Sequence, residues 1–236
     1  MTRRFLPLAA LALVPALAFG HGDVAPQPVD TDALPEIGEE WVEENPYRAE
    51  ASSAEVWATA VKIGASGYNQ NCARCHGLEV VSGGLAPDLR YLEANIDGDE
   101  WYIERFRHGY TQNGVTKMPA FGELLGQKAA WAIRTYIEAR PDDGALDAHS
   151  DVLKTIRDDL TAKAEALAGG AEIGAMQADL EAHMTKLKGI VGEIETASGA
   201  PLADSAVSRA ILDLNGTPEG VKAAADTLTI GLSAAQ

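Results

Sequence analysis

The sequence predicts an all-α fold in two parts: a compact helical unit over residues 52–141 and an amphipathic helical tail over 142–236. Three observations carry this. Apolar residues recur at helical spacing at Val56, Ala60 and Ile63, and again at Ala129, Ile133, Tyr136 and Ile137. Between those stretches lies "NQNCARCHG", which holds both cysteines of the 236-residue chain. After Pro141 the composition turns alanine-rich, and no Trp, Tyr or Phe follows.

Taken in order, residues 1–20 read as a cleaved export signal. Arg3 and Arg4 precede the apolar run Phe5–Phe19, which is 15 residues long and contains Pro7 and Pro15. Spanning a bilayer takes roughly 20 apolar residues, and small residues at Ala16, Ala18 and Gly20 suit signal cleavage. No later segment is long and apolar enough to anchor the chain, so a soluble periplasmic protein is expected. Residues 21–51 carry four prolines with little periodicity and read as an extended arm. Ser52 with Glu55 forms a predicted capping box for the first helix. A second helix is expected over Gly98–His108, then the loop "GYTQNGVTKMPAFG", then a closing helix over about Gln127–Arg140 with Pro141 as its stop.

Formal net charge is −16, and loss of a leader with two arginines and no acid deepens it to −18 (17 basic, 35 acidic). Nucleic acid is excluded as a partner, because phosphates must be met by positive charge. An acidic surface instead steers association with a basic partner.

The cluster Cys72-x-x-Cys75-His76 has three readings. A structural disulfide or a redox-active thiol pair leaves the adjacent histidine unexplained. Zinc takes four ligands, and there is no second cysteine pair. Covalent haem c, one per chain, uses all three residues: two thioethers and a proximal histidine on the iron. The sixth ligand decides between carrier and enzyme. Beyond the leader the methionines are Met118, Met176 and Met184. Met118 sits in "KMPAF", where Pro119 stiffens the loop, and is the expected ligand; the other two fall on an apolar stripe of the tail. His108, at the end of a helix, is its rival. An iron held by His76 and Met118 is saturated and passes single electrons without bond-making chemistry. His21 reads as a plain terminus, and His149 and His183 as surface residues.

Residues 54–140 resemble a class I cytochrome c. Gly64-x-x-x-Tyr68-x-x-x-Cys72 is similar to the family's first helix and haem site, "LAPDL" to its proline loop, and "MPAF" to its methionine loop. The resemblance implies that the Pro87 carbonyl orients His76 and that Gly64 and Tyr68 cross the closing helix at Tyr136. "HGDVAPQPVDT", "GEEWVEENPYR" and "GDEWYIERFRHG" extend it to the PedF-type cytochromes c over 21–141. That narrower likeness implies a quinoprotein (PQQ-dependent) ethanol dehydrogenase as electron donor, and an oxidase or another cytochrome as acceptor. The other functions weighed are a haem enzyme subunit and a redox sensor whose tail binds a partner.

The tail falls outside the resemblance. Ile173, Leu180, Met184, Leu187, Val191 and Ile194 form one stripe, and Val152, Ile156, Leu160 and Leu167 another. Three or four amphipathic helices are predicted, forming a bundle, docking on the preceding unit or dimerising.

Overall fold

The computed structural model describes residues 26–234. The predicted leader and His21 lie outside the described residues. Among the described residues the regular secondary structure is helical apart from one hairpin, in agreement with the all-α expectation, and the buried hydrophobic side chains fall into two clusters.

The first cluster is built by α1 (Ala54–Asn71), the single turn α2 (Ala73–His76), α3 (Ile96–His108) and α4 (Gly122–Glu138). Ser53, not Ser52, caps α1: its side chain accepts from Val56 N, while the Ser52 hydroxyl turns back onto the carbonyls of Tyr47 and Arg48. Asn95 caps α3 through Gly98 N, which starts that helix two residues before the predicted glycine. Within α4 the backbone of Gly126 is left-handed (φ 74°), so regular helix runs from Gln127, as the sequence suggests, and ends at Glu138. Helices α1 and α4 cross where Gly64 meets Ala132 and Tyr136. A Cβ on Gly64 would lie 1.9 Å from the Ala132 carbonyl oxygen. Only a glycine permits that approach. The ring of Tyr68 packs on that of Tyr136 at 5.5 Å.

The loop "GYTQNGVTKM" is not irregular. It forms an antiparallel hairpin, β1 (Tyr110–Gln112) with β2 (Val115–Met118). Its turn residues Asn113 (φ 52°) and Gly114 (φ 74°) are both left-handed, as a two-residue hairpin turn of this kind requires.

The described part of the N-terminal arm, from residue 26, has no helix and is fixed by side chains. Leu34 and Tyr47 enter the first cluster. Gln127 donates to the carbonyls of Gly38 and Glu40 and accepts from Val42 N. Asn45 and Arg48 of the arm enter a buried ionic network. Asp99 accepts from Arg48 (2.8 Å), Arg134 (2.9 Å) and Asn45 N (2.9 Å), and Glu138 pairs with Arg48 at 3.0 Å. Buried charges persist only when paired and hydrogen-bonded in this way.

The tail forms α5 (Ser150–Ala168), α6 (Gln177–Val191), α7 (Ala206–Asp213) and α8 (Pro218–Ala234) around the second cluster. The α5 stripe is Leu153, Ile156 and Leu160, one residue off the predicted Val152, which is exposed. The bundle docks on the first unit through residues 195–204. Asp142 N donates to Glu195 O, Ala94 N to Ser198 O and Ala203 N to Ala139 O. His183 and His149 are not surface residues. Both are largely covered, His183 facing Asp159 at 2.6 Å and His149 facing Glu193 at 3.5 Å. Among the described residues no helix is long and apolar enough to cross a membrane.

Candidate functional site

Helix α1 is capped at its C-terminal end by Cys72, whose carbonyl accepts from the backbone N–H groups of Cys75 and His76. That single turn sets the two cysteines and the histidine on one short stretch of helix, with Cys72 half-buried, Cys75 exposed and His76 buried. Neither cysteine is in a disulfide. Burial first, then the neighbouring Cys75, pushes the Cys72 thiol up to about 12. A redox-active or metal-binding cysteine needs the reverse, a depressed pKa that supplies thiolate.

His76 Nδ1 lies 2.9 Å from the carbonyl oxygen of Pro87. With Nδ1–H donated to that carbonyl, Nε2 is left with its lone pair free for a metal. Such a bond both orients the ring and strengthens it as a ligand. The Pro87 loop is itself held. Asp88 accepts from Arg90 N at 3.0 Å and pairs with the Arg90 guanidinium at 2.7 Å, and Ser82 Oγ donates to Ala86 O. Burial opposes ionisation of Asp88, but the Arg90 hydrogen bonds outweigh it and hold the carboxyl below its usual range. On the other side, the Tyr68 hydroxyl donates to Gly77 O at 2.8 Å.

Met118 ends β2 and packs, partly buried, against the same hydrophobic cluster that Cys72 borders. Its loop is pinned on both sides. Gly109 (φ 70°) sits so close beneath it that a Cβ would come within 2.5 Å of Met118 O, and Phe121 N donates to Phe106 O at 2.8 Å. The rival His108 points into solvent, 57% exposed and 3.9 Å from Glu104. Met176 and Met184 pack against the tail cluster.

Two thiols one turn apart, a histidine with Nδ1 engaged and a thioether on the border of the same apolar cluster match the donor set of haem c. The residues fit that group.

Residues 46–137 match the family described as cytochrome C oxidase, cbb3-type, subunit III. The chain is 51% identical over 137 residues to a cytochrome c550 of Pseudomonas aeruginosa, covering 58% of this chain and 92% of that protein. The chain belongs to the class I c-type cytochromes. It is accordingly an electron-transfer protein with a single covalently attached haem c, not an enzyme. It is also 30% identical over 84 residues to quinohemoprotein alcohol dehydrogenase ADH-IIG of Pseudomonas putida, and 30% over 91 residues to ADH IIB of the same species. Those segments are 36% and 38% of this cytochrome but only 11% and 12% of the two dehydrogenases. No solved structure gives a significant match.

Proposed function

We propose that this cytochrome is a periplasmic carrier that accepts single electrons from a PQQ-dependent alcohol dehydrogenase and passes them to an oxidase or another cytochrome. Cys72 and Cys75 are the attachment residues, His76 and Met118 the axial ligands, and Pro87 the residue that orients His76. Bound haem c supplies a one-electron iron couple. The residues of the chain do the rest. Pro87 O fixes the imidazole, Gly109 and Phe121 hold the Met118 loop, and the surrounding apolar side chains limit water at the site. Residues 1–20 are the export signal, 21–51 the arm, 52–141 the haem-bearing unit and 142–236 the tail.

The observation that carries the site assignment is the 2.9 Å contact between His76 Nδ1 and Pro87 O, which leaves one ring nitrogen free in a buried, oriented imidazole. The dehydrogenase assignment is supported by the likeness to two quinohemoprotein alcohol dehydrogenases and by the resemblance of the arm and haem segments to PedF-type cytochromes. Its test is to mix the oxidised cytochrome with purified quinoprotein alcohol dehydrogenases and their alcohols and follow haem reduction. Rapid reduction with ethanol or a related alcohol is expected. Reduction no faster with the dehydrogenase than without it removes the dehydrogenase from the proposal.

A further inference from the structure

The turn that follows His76 is held from the tail. Glu79 and Val80 have left-handed backbones (φ 58° and 66°), which non-glycine residues rarely adopt and which persist only where the surroundings impose them. Val80 is fully buried, which anchors one side of the turn. The Glu79 carboxylate is gripped by two arginines: Arg140, just past the end of α4, and Arg209 of α7, at 3.1 Å. Asp204, at the end of the docking segment, closes the square by pairing with Arg140 and Arg209, each at 2.7 Å. Arg140 also lies over the Tyr136 ring at 5.2 Å, and Tyr136 packs on Tyr68, whose hydroxyl holds Gly77 O. Both ends of the turn 77–79 are thus tied, one through the helix crossing and the other through the tail.

We infer that Asp204 and Arg209 are positioning residues for the His76 turn, so that the tail bundle acts as a latch that keeps the haem-bearing turn closed. Neither residue belongs to the donor set, and 130 positions separate Arg209 from Glu79. The two acids and two arginines balance, so the latch stabilises by geometry rather than by placing net charge near the haem. The inference rests on His76 holding the iron, which the haem content and spectrum of the unmutated protein test separately.

The experiment uses the full-length holoprotein and measures the rate at which imidazole, at a pH above its own pKa so that the probe is neutral, displaces the sixth ligand of the oxidised iron. Arg209→Gln and Asp204→Asn remove charges of opposite sign. A through-space charge effect therefore moves the midpoint potential in opposite directions in the two variants. Loosening of the turn raises the imidazole rate in both. The expected rise is about fivefold in each, the order expected when the two partly exposed ion pairs of either residue are broken. Arg209→Lys restores part of the loss. Lys163→Gln, which removes the contacts to Asp159 within α5 and to Asp179 of α6 without touching the latch, leaves the rate unchanged. Unchanged imidazole rates in both latch variants overturn the inference. So does an equal rise in Lys163→Gln, which assigns the effect to general loosening of the tail.

Discussion

The Tyr68 hydroxyl donates to the carbonyl oxygen of Gly77 at 2.8 Å, so the helix that delivers the cysteines also fixes the residue just beyond the histidine. Tyr68 reaches that position because its ring rests on Tyr136 at the crossing of α1 and α4, where Gly64 brings the two backbones together. Haem site and helix crossing are one mechanical unit.

The crossing therefore predicts a steep cost for Gly64→Ala. The added methyl meets the Ala132 carbonyl oxygen, a backbone atom that cannot rotate away. Overpacking of a tight core costs about 1–3 kcal/mol, and this contact belongs at the upper end. Chemical denaturation of the holoprotein measures it, and a midpoint equal to that of the unmutated protein contradicts the packing account.

Replacing both cysteines, Cys72→Ala with Cys75→Ala, is expected to abolish covalent haem and to leave little folded protein. A unit of under 100 residues has a small core of its own, and covalently attached haem adds to it. Haem staining of a denaturing gel reads the attachment, and the amount of soluble protein that accumulates in the cell reads the folding. A stable haem-free form at normal abundance is the contrary result.

Much of this site is visible in the sequence because its signals are local. Cys72-x-x-Cys75-His76 lies within five positions, and Met118 is followed directly by Pro119. The sequence puts the α1 cap one residue early, at Ser52, because Ser52 and Ser53 are adjacent and only the folded chain shows which faces Val56 N. The hairpin has a local signal too, Asn113-Gly114 with Thr111 on one side and Val115 and Thr116 on the other, which marks a two-residue turn between strands in place of the expected loop. What lay beyond reach is long-range. Arg48 meets Asp99 and Glu138 across 51 and 90 positions, and no pattern in the arm marks it as buried. His183 looks like any helix-surface histidine until α5 brings Asp159 against it. The latch on Glu79 is of the same kind.

Asp99→Asn tests the arm network. Asp99 is the common acceptor of two arginines and of Asn45 N, all buried. Neutralising one partner of a buried ionic group leaves the others uncompensated, at about 3–5 kcal/mol. Loss of stability of that order, with the arm becoming susceptible to protease near Arg48, is the expected outcome. A change below about 1 kcal/mol, the range of surface pairs, contradicts the network's role.

Acid sensitivity follows from the same bookkeeping of protons. Asp88 and Asp159 are held below the ordinary carboxylate range: burial raises each, but hydrogen bonds from Arg90 to Asp88, and from His183 and Lys163 to Asp159, outweigh it. A depressed folded pKa contributes stability above the unfolded value, near 4, and loses it as pH falls through the folded value. Glu138, raised by burial, has the opposite sign and offsets part of the loss. The melting temperature should fall on acidification below about pH 4. In Asp88→Asn that fall should be shallower, and an equally steep profile contradicts the assignment to Asp88.

The proposed iron is saturated by His76 and Met118, and carbon monoxide binding to the reduced protein tests that saturation most directly. The unmutated cytochrome is predicted to bind none and to show, when oxidised, the weak far-red absorbance of methionine-to-iron ligation. Met118→Ala is predicted to keep its covalent haem, lose that band and bind carbon monoxide readily. Carbon monoxide binding by the unmutated protein, or a Met118→Ala spectrum indistinguishable from it, would contradict the claim.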